Sequence, residues 1–259
     1  MAINKLIATE FLRDRAVLAI SPLLLLGAWT WACHAGLFPE QILVSPQRVY
    51  EAGVELWDSG ELAMHLEKSL SRLAIGFSIG ALVGLAFGVA MGLSKRVEAL
   101  CGPSFNAIRQ VPTIAFIPML ILIFGVEETF KIVVVAKAAF FPIALATLDA
   151  VKGVPKQYFE VARVYRLSTA QLVRRIILPA TVPPVLTGFR ISLGRSWMVL
   201  VAAELLAADS GIGQMMEMGR QMFRIDVVMV GVVITGLVGF VLDRGFRSLE
   251  TRLVRWKLP

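Results

Sequence analysis

Charge is scarce in this chain, and it is placed unevenly. Of 259 residues only 17% are charged while 57% are hydrophobic, and there are just two cysteines, two histidines and three tyrosines. Each shortage excludes something. Cys33 and Cys101 make no disulfide framework, and with His34 and His65 isolated from them there is no metal-ligand cluster. No Gly-x-x-x-x-Gly-Lys-Ser/Thr segment occurs, so the chain carries no phosphate-binding loop for a nucleotide. Ala74 to Leu93 contains no charged residue at all. Soluble domains sit near roughly 45–50% apolar residues. Here the surplus collects into runs of about 20, the helix length that crosses about 30 Å of hydrocarbon. A water-soluble domain is excluded. The net charge is +7, but the basic residues fall in short clusters between apolar runs. They share no face interleaved with aromatics, which excludes a nucleic-acid partner.

What is present reads as an all-α membrane protein. The runs predict six transmembrane helices, near 17–36, 70–93, 106–125, 131–149, 184–206 and 226–243. Lys and Arg number 17 in the N-terminus and segments 94–110, 151–183 and 244–259, against 4 in segments 37–65, 126–131 and 207–225. That asymmetry puts both termini in the cytoplasm. Residues 1–16 are then a cytoplasmic N-terminal segment and 17–259 the six-helix transmembrane domain. The first run, Ala16 to Leu37, is longer than a cleaved signal core and reads as a retained signal anchor. Cys33 and Cys101 fall near opposite membrane faces and do not pair. Residues 46–65 mix apolar and acidic side chains at helical spacing, a short helix lying on the outer interface or packed on the bundle.

Five glycines, Gly76, Gly80, Gly84, Gly88 and Gly92, recur every four residues along the second run. At 3.6 residues per turn they form one slowly drifting stripe. Glycine costs helix propensity, about 1 kcal/mol each in water, and close helix–helix approach is the compensation. The neighbour belongs to the same chain or to a second copy. Pro112, Pro118 and Pro142 fall within apolar runs, where each removes a backbone donor and bends its helix.

The longest basic connection, 152–180, is patterned. Pro155 suits a first helical turn. Phe159, Ala162, Val164 and Tyr165 give an apolar side, with Glu160 and Arg163 off it. Ser168 and Gln171 make a capping box that opens a second helix at Thr169, running through Leu172, Ile176 and Ile177 and expected to stop before Pro179. Such a pair of helices lies on anionic lipid or docks a cytosolic partner; the pattern alone allows both.

Residues 160–179 read EVARVYRLSTAQLVRRIILP. This resembles the cytoplasmic motif of ABC-importer permeases, Glu-Ala-Ala, three residues, Gly, nine residues, Ile-x-Leu-Pro, with Glu160, Ala162, Ile176, Leu178 and Pro179 in register. FGVEETFKI at 124–132, AFFPIALAT at 139–147 and VAAELLAADSGIG at 201–213 are similar to the nitrate/sulfonate/taurine/bicarbonate branch. Two positions depart from the motif: Val161 replaces the first alanine, and Arg166 replaces the glycine. That glycine is expected in a left-handed turn, which a residue with a β-carbon adopts at about 1 kcal/mol.

The resemblance implies a type I ABC importer permease fold working as a homodimer in the bacterial inner membrane. Two ATPase subunits, which hold ATP and Mg, dock on the cytoplasmic helices, and a periplasmic binding protein delivers the solute. The chain itself is then no enzyme. Glu160, Val161, Ala162, Arg163, Arg166, Leu167, Arg174, Arg175, Ile176, Leu178 and Pro179 are the expected coupling residues. The solute is a small anion, an aliphatic sulfonate or taurine first, nitrate or bicarbonate next. Competing readings are a stand-alone channel or secondary transporter, which would leave the basic helix pair idle, and a non-transporting scaffold, against which the proline-bent, charge-bearing runs argue.

An intramembrane charge costs about 2.5–3.5 kcal/mol by insertion scales, so it is paired or functional. Lys137, Arg190, Arg195 and Glu204 fall within apolar runs. Arg195, half-way along the fifth run, is a candidate for the translocation path, with Ser192 and Trp197 near it. Lys137 and Glu204 are further candidates, or neutralise one another. Arg190 is expected to anchor its helix.

Overall fold

The computed structural model describes residues 20–36, 39 and 42–254, and every described element is helical. The chain divides into two compact units, Met1–Leu62 with Met216–Val232, and Ala63–Met215 with Val233–Pro259. The expected N-terminal segment, 1–16, lies outside the described residues.

In the smaller unit, α1 spans 20–34, the described part of the first expected span. Trp29 Nε1 donates to Val44 O at 3.0 Å. α2, Pro46–Asp58, opens on Ser45, whose Oγ accepts from Arg48 N at 3.4 Å. Val49, Ala52 and Leu56, at helical spacing, form its buried stripe, and a β-carbon on Gly53 would lie 3.7 Å from Val230. The packed reading of this segment is therefore the one observed, although Tyr50 and Trp57 stay exposed. Arg224 donates to Glu55 at 3.1 and 2.8 Å and to Asp226 at 2.9 Å. The hydrogen bond and charge of Arg224 hold the Glu55 carboxyl below its ordinary value.

The larger unit is organised by long apolar helices. α3 runs Glu61–Leu93, α6 Glu128–Lys152, and α9 Leu178–Ala207; α11, Ile225–Leu253, completes the set. With the turns before α9, these four are long and apolar enough to cross a membrane. They expose apolar side chains, Leu82, Phe240 and Val241 among them, as hydrocarbon-facing helices do. α3 begins well before residue 70, because Leu62, Leu66, Leu70 and Leu73 continue its apolar spacing.

The third apolar run is not one straight helix. α4, Lys95–Gln110, and the segment Thr113–Phe124, a 3-10 turn followed by α5 (Ile117–Phe124), meet at 92°. Pro112 sits at the break, where its missing N–H ends α4. Pro118 does not bend a helix: it lies in the first turn of α5, where no donor is needed. Pro142 remains inside α6.

The glycine stripe packs on α6 of the same chain. β-carbons built on Gly76, Gly80, Gly84 and Gly88 would fall 2.7, 2.2, 2.7 and 2.5 Å from the carbonyl oxygens of Ile132, Ala136, Phe140 and Ala144. One glycine meets one carbonyl at each turn, and both numbers rise together, so the two helices run parallel. At this separation the glycine Cα–H groups meet carbonyl oxygens, a recurring helix-pair contact. At the far end Phe87, Phe105, Phe140 and Phe141 interlock, their ring centroids 4.9–6.2 Å apart, which fastens α4 to α3 and α6.

Candidate functional site

Three cations converge on one cavity. Its volume is about 510 Å³, and its lining comes from the end of α4, the 3-10 turn, α6 and α9. Arg109, Lys137 and Arg195 line it with Ile114, Phe141, Leu145 and Met198, and no Asp or Glu is among the lining residues. The broken third run creates the space: a straight helix through Pro112 would not fold the 3-10 turn across Lys137. The Lys137 ammonium lies 3.9 Å from the Phe116 ring centroid and 5.2 Å from that of Phe141. These faces stabilise a cation without neutralising it. The alternative in which Lys137 and Glu204 neutralise one another is not observed, since Glu204 pairs with Arg72.

Of the path candidates, the cavity gathers Lys137 and Arg195 only. Ser192 is buried and donates to Ala139 O at 3.0 Å, joining α9 to α6. Trp197 is buried and its Nε1 donates to Thr235 O of α11 at 3.0 Å. Trp197, two positions from Arg195, points about 200° round the helix from it, whereas Ser192, three positions away, is nearly on the same face but has its hydroxyl taken up by α6. Arg190 has Asp243 and Glu250 at 3.9 and 3.7 Å, in line with its anchoring role.

Glu204 belongs to a second cluster that sequence reasoning missed. Arg72, 2% exposed, uses all five of its N–H donors. Two go to Glu128 at 2.6 and 2.5 Å, one to Glu204 at 2.8 Å, and two to Ser210, at 2.6 Å to its O and 2.8 Å to its Oγ. Glu204 also accepts from Ser69 Oγ at 2.9 and 2.8 Å and from Gly213 N at 3.1 Å. The amides of Gly211 and Ile212 donate to His65 Nδ1 and Ser69 Oγ, at 3.0 and 2.9 Å. Gly211 is required twice over: its φ is +112°, and a β-carbon would fall 2.3 Å from Glu204 Oε1. The signal was available, since His65, Ser69 and Arg72 lie on one face of α3 at spacings of four and three. It was hidden because Arg72 stands at the edge of the run predicted at 70–93, just before the uncharged stretch Ala74 to Leu93.

The basic helix pair is built as its caps predict. α7 spans Lys156–Val164, with Ala162 buried and Glu160, Val161 and Arg163 exposed. Arg166 has φ 49°. Its N–H donates to Arg163 O at 3.0 Å and that of Leu167 to Ala162 O at 2.9 Å. These two bonds are the left-handed helix stop that ordinarily holds glycine. Ser168 N donates to Gln171 Oε1 at 3.0 Å and Gln171 N to Ser168 Oγ at 3.3 Å, a reciprocal capping box. Arg166→Gly should therefore raise hairpin stability by about 1 kcal/mol while leaving the fold intact; a lower thermal midpoint for the purified variant would contradict this.

The second helix does not stop before Pro179. α8, Thr169–Leu172, passes through a π turn, Val173–Ile177, straight into α9. The wider turn lets Leu178 N reach back to Val173 O, which moves the carbonyl ladder away from the ring of Pro179. Arg174 and Arg175 stand exposed on this turn; Ile176 is half-buried, as is Pro179, and Leu178 is exposed. The hairpin and a cavity wall are thus one continuous helix.

Residues 80–255 match the family model for the binding-protein-dependent transport system inner membrane component. The chain belongs to this family. The permease is 39% identical over 236 residues to a Bacillus subtilis protein named as an aliphatic sulfonates transport permease, SsuC, covering 91% of this chain and 86% of that one. It is 36% identical over 237 residues to the taurine transport system permease protein TauC of Escherichia coli, covering 90% and 86%. In fold it is similar to a solved amino acid ABC transporter structure, at a TM-score of 0.60 and 17% identity, over 79% of this chain and 97% of that one. It is therefore a multi-pass ABC importer permease subunit, a transport component.

Proposed function

We propose that this permease carries a small organic anion, an aliphatic sulfonate or taurine ahead of nitrate or bicarbonate, across the bacterial cytoplasmic membrane. Two copies pair, a periplasmic binding protein supplies the solute, and an ATPase holding ATP and Mg grips each 156–179 hairpin. The observation that carries the reading is the cavity with Arg109, Lys137 and Arg195 in its lining and no carboxylate. Sulfonate-named relatives at 39% and taurine-named relatives at 36% identity support the solute class. The 17-to-4 division of Lys and Arg supports six spans with both termini inside. Exposed Arg174 and Arg175 on a helix continuous with the cavity wall, with exposed Glu160 and Arg163 on α7 beside them in the hairpin, support force transfer through the hairpin.

The test is uptake of a radiolabelled alkanesulfonate by the complete importer. A hydrogen bond to a charged group contributes about 1.5–3 kcal/mol, so Lys137→Ala and Arg195→Ala should each lower uptake roughly ten- to a hundredfold. The amount of ATPase co-purifying with the permease should not change. Uptake unaltered in both variants would refute a role for this cavity.

A further inference from the structure

The cavity lining combines three cations with mostly apolar side chains and no carboxylate, and this has a consequence for which sulfonates it passes. Resting on the reading just proposed, we infer that the permease is itself a charge filter, passing sulfonates with a plain alkyl tail in preference to those, taurine included, that carry an ammonium group. The anionic head of a solute finds Arg109, Lys137 and Arg195. Its tail meets Ile114, Leu145 and Met198. A protonated amine on that tail finds no carboxylate among the lining residues.

Among the carboxylates on α6 and α9, Glu128 and Glu204 are engaged elsewhere, and Asp149, about one turn beyond Leu145, is exposed and is not among the lining residues. Glu128 accepts from Arg72 and Lys131, and Glu204 from Arg72, Ser69 and Gly213. The aromatic faces of Phe116 and Phe141, which could stabilise an ammonium, already face that of Lys137. An ammonium group entering here loses water without gaining a counter-ion and is repelled by three fixed cations. A methyl group in the same place gains apolar contact.

The pair 1-propanesulfonate and taurine isolates this term, since the two differ in having a methyl or an ammonium group at one end of otherwise similar chains. Uptake of each is measured with the complete importer, for the natural chain and for Ile114→Glu, with Ile114→Gln as the uncharged control. Ile114→Glu should move the taurine-to-propanesulfonate ratio toward taurine by about tenfold, the scale on which a single pocket contact discriminates. Ile114→Gln should leave the ratio in place. Because both solutes meet the same binding protein, a change in ratio on altering the permease alone belongs to the permease. Should Ile114→Glu fail to accumulate in the membrane, Thr113→Asp at the adjacent lining position reads the same ratio. An unchanged ratio in the acidic variant overturns the filter; if Lys137→Ala still lowers uptake of both solutes, the cavity reading survives that result. Uptake of both solutes indifferent to Lys137→Ala and Arg195→Ala would remove the cavity reading, and the filter with it.

Discussion

Arg72→Met should nearly abolish accumulation of the folded permease, with a loss of about 3–5 kcal/mol, the range for breaking a buried ion pair by removing one partner. The reason is what remains. Glu204 is 1% exposed and would be left without its cation, with only Ser69 and the Gly213 amide as donors. Glu128 would lose two short hydrogen bonds, and Ser210 would lose the two that hold the chain after α9 in place. Arg72→Lys should rescue little, since one ammonium cannot supply five donors in a planar fork. The double variant Arg72→Met, Glu204→Leu should lose clearly less than Arg72→Met alone, because no unpaired charge is then buried. The measurement is the thermal midpoint of the detergent-purified permease together with its amount in the membrane. If the double variant is as damaged as the sum of the two single ones, the pair is not coupled and the argument fails.

The second large effect is expected at Gly80. A β-carbon there would sit 2.2 Å from Ala136 O, a backbone atom that cannot rotate away. Gly80→Ala should force α3 from α6 at the centre of their contact and cost about 1–3 kcal/mol, the usual range for overpacking. Gly80→Leu should prevent folding. Gly236 on α11 is the internal comparison: nothing lies within 4 Å of its added β-carbon. Gly236→Ala should be neutral or raise the thermal midpoint slightly, since alanine has a helix propensity better by about 1 kcal/mol. Equal behaviour of Gly80→Ala and Gly236→Ala would mean that helix propensity alone governs both sites, and that the α3–α6 contact is looser than its geometry indicates.

Much of the candidate site was legible because its signals are local. The capping box of Ser168 and Gln171 and the left-handed stop at Arg166 involve residues within five positions of one another, and both are observed as read. The continuation of the helix through Pro179 was not legible. Proline ordinarily ends a helix, and only the insertion of a π turn at Val173–Ile177 accommodates it. Lys137 and Arg195 could be singled out because charge in an apolar run always needs a reason. Their convergence depends on the 92° bend at Pro112 and on the packing of α6 against α9, which joins residues more than fifty positions apart.

The sequence by itself determined the class of molecule and its local stops and starts. Apolar run length specifies helices that cross a membrane, a four-residue glycine period specifies a face for close packing, and capping residues specify the turn between α7 and α8. Only the tertiary structure decided which partner each buried charge takes. Glu204 lies against Arg72 and not Lys137, so Lys137 is left among aromatic rings on the wall of a cavity. The physical reason is that helix periodicity fixes the direction in which a side chain points but not which distant helix lies opposite it. In a low-dielectric interior, that neighbour decides whether a charge is neutralised or left to meet a solute.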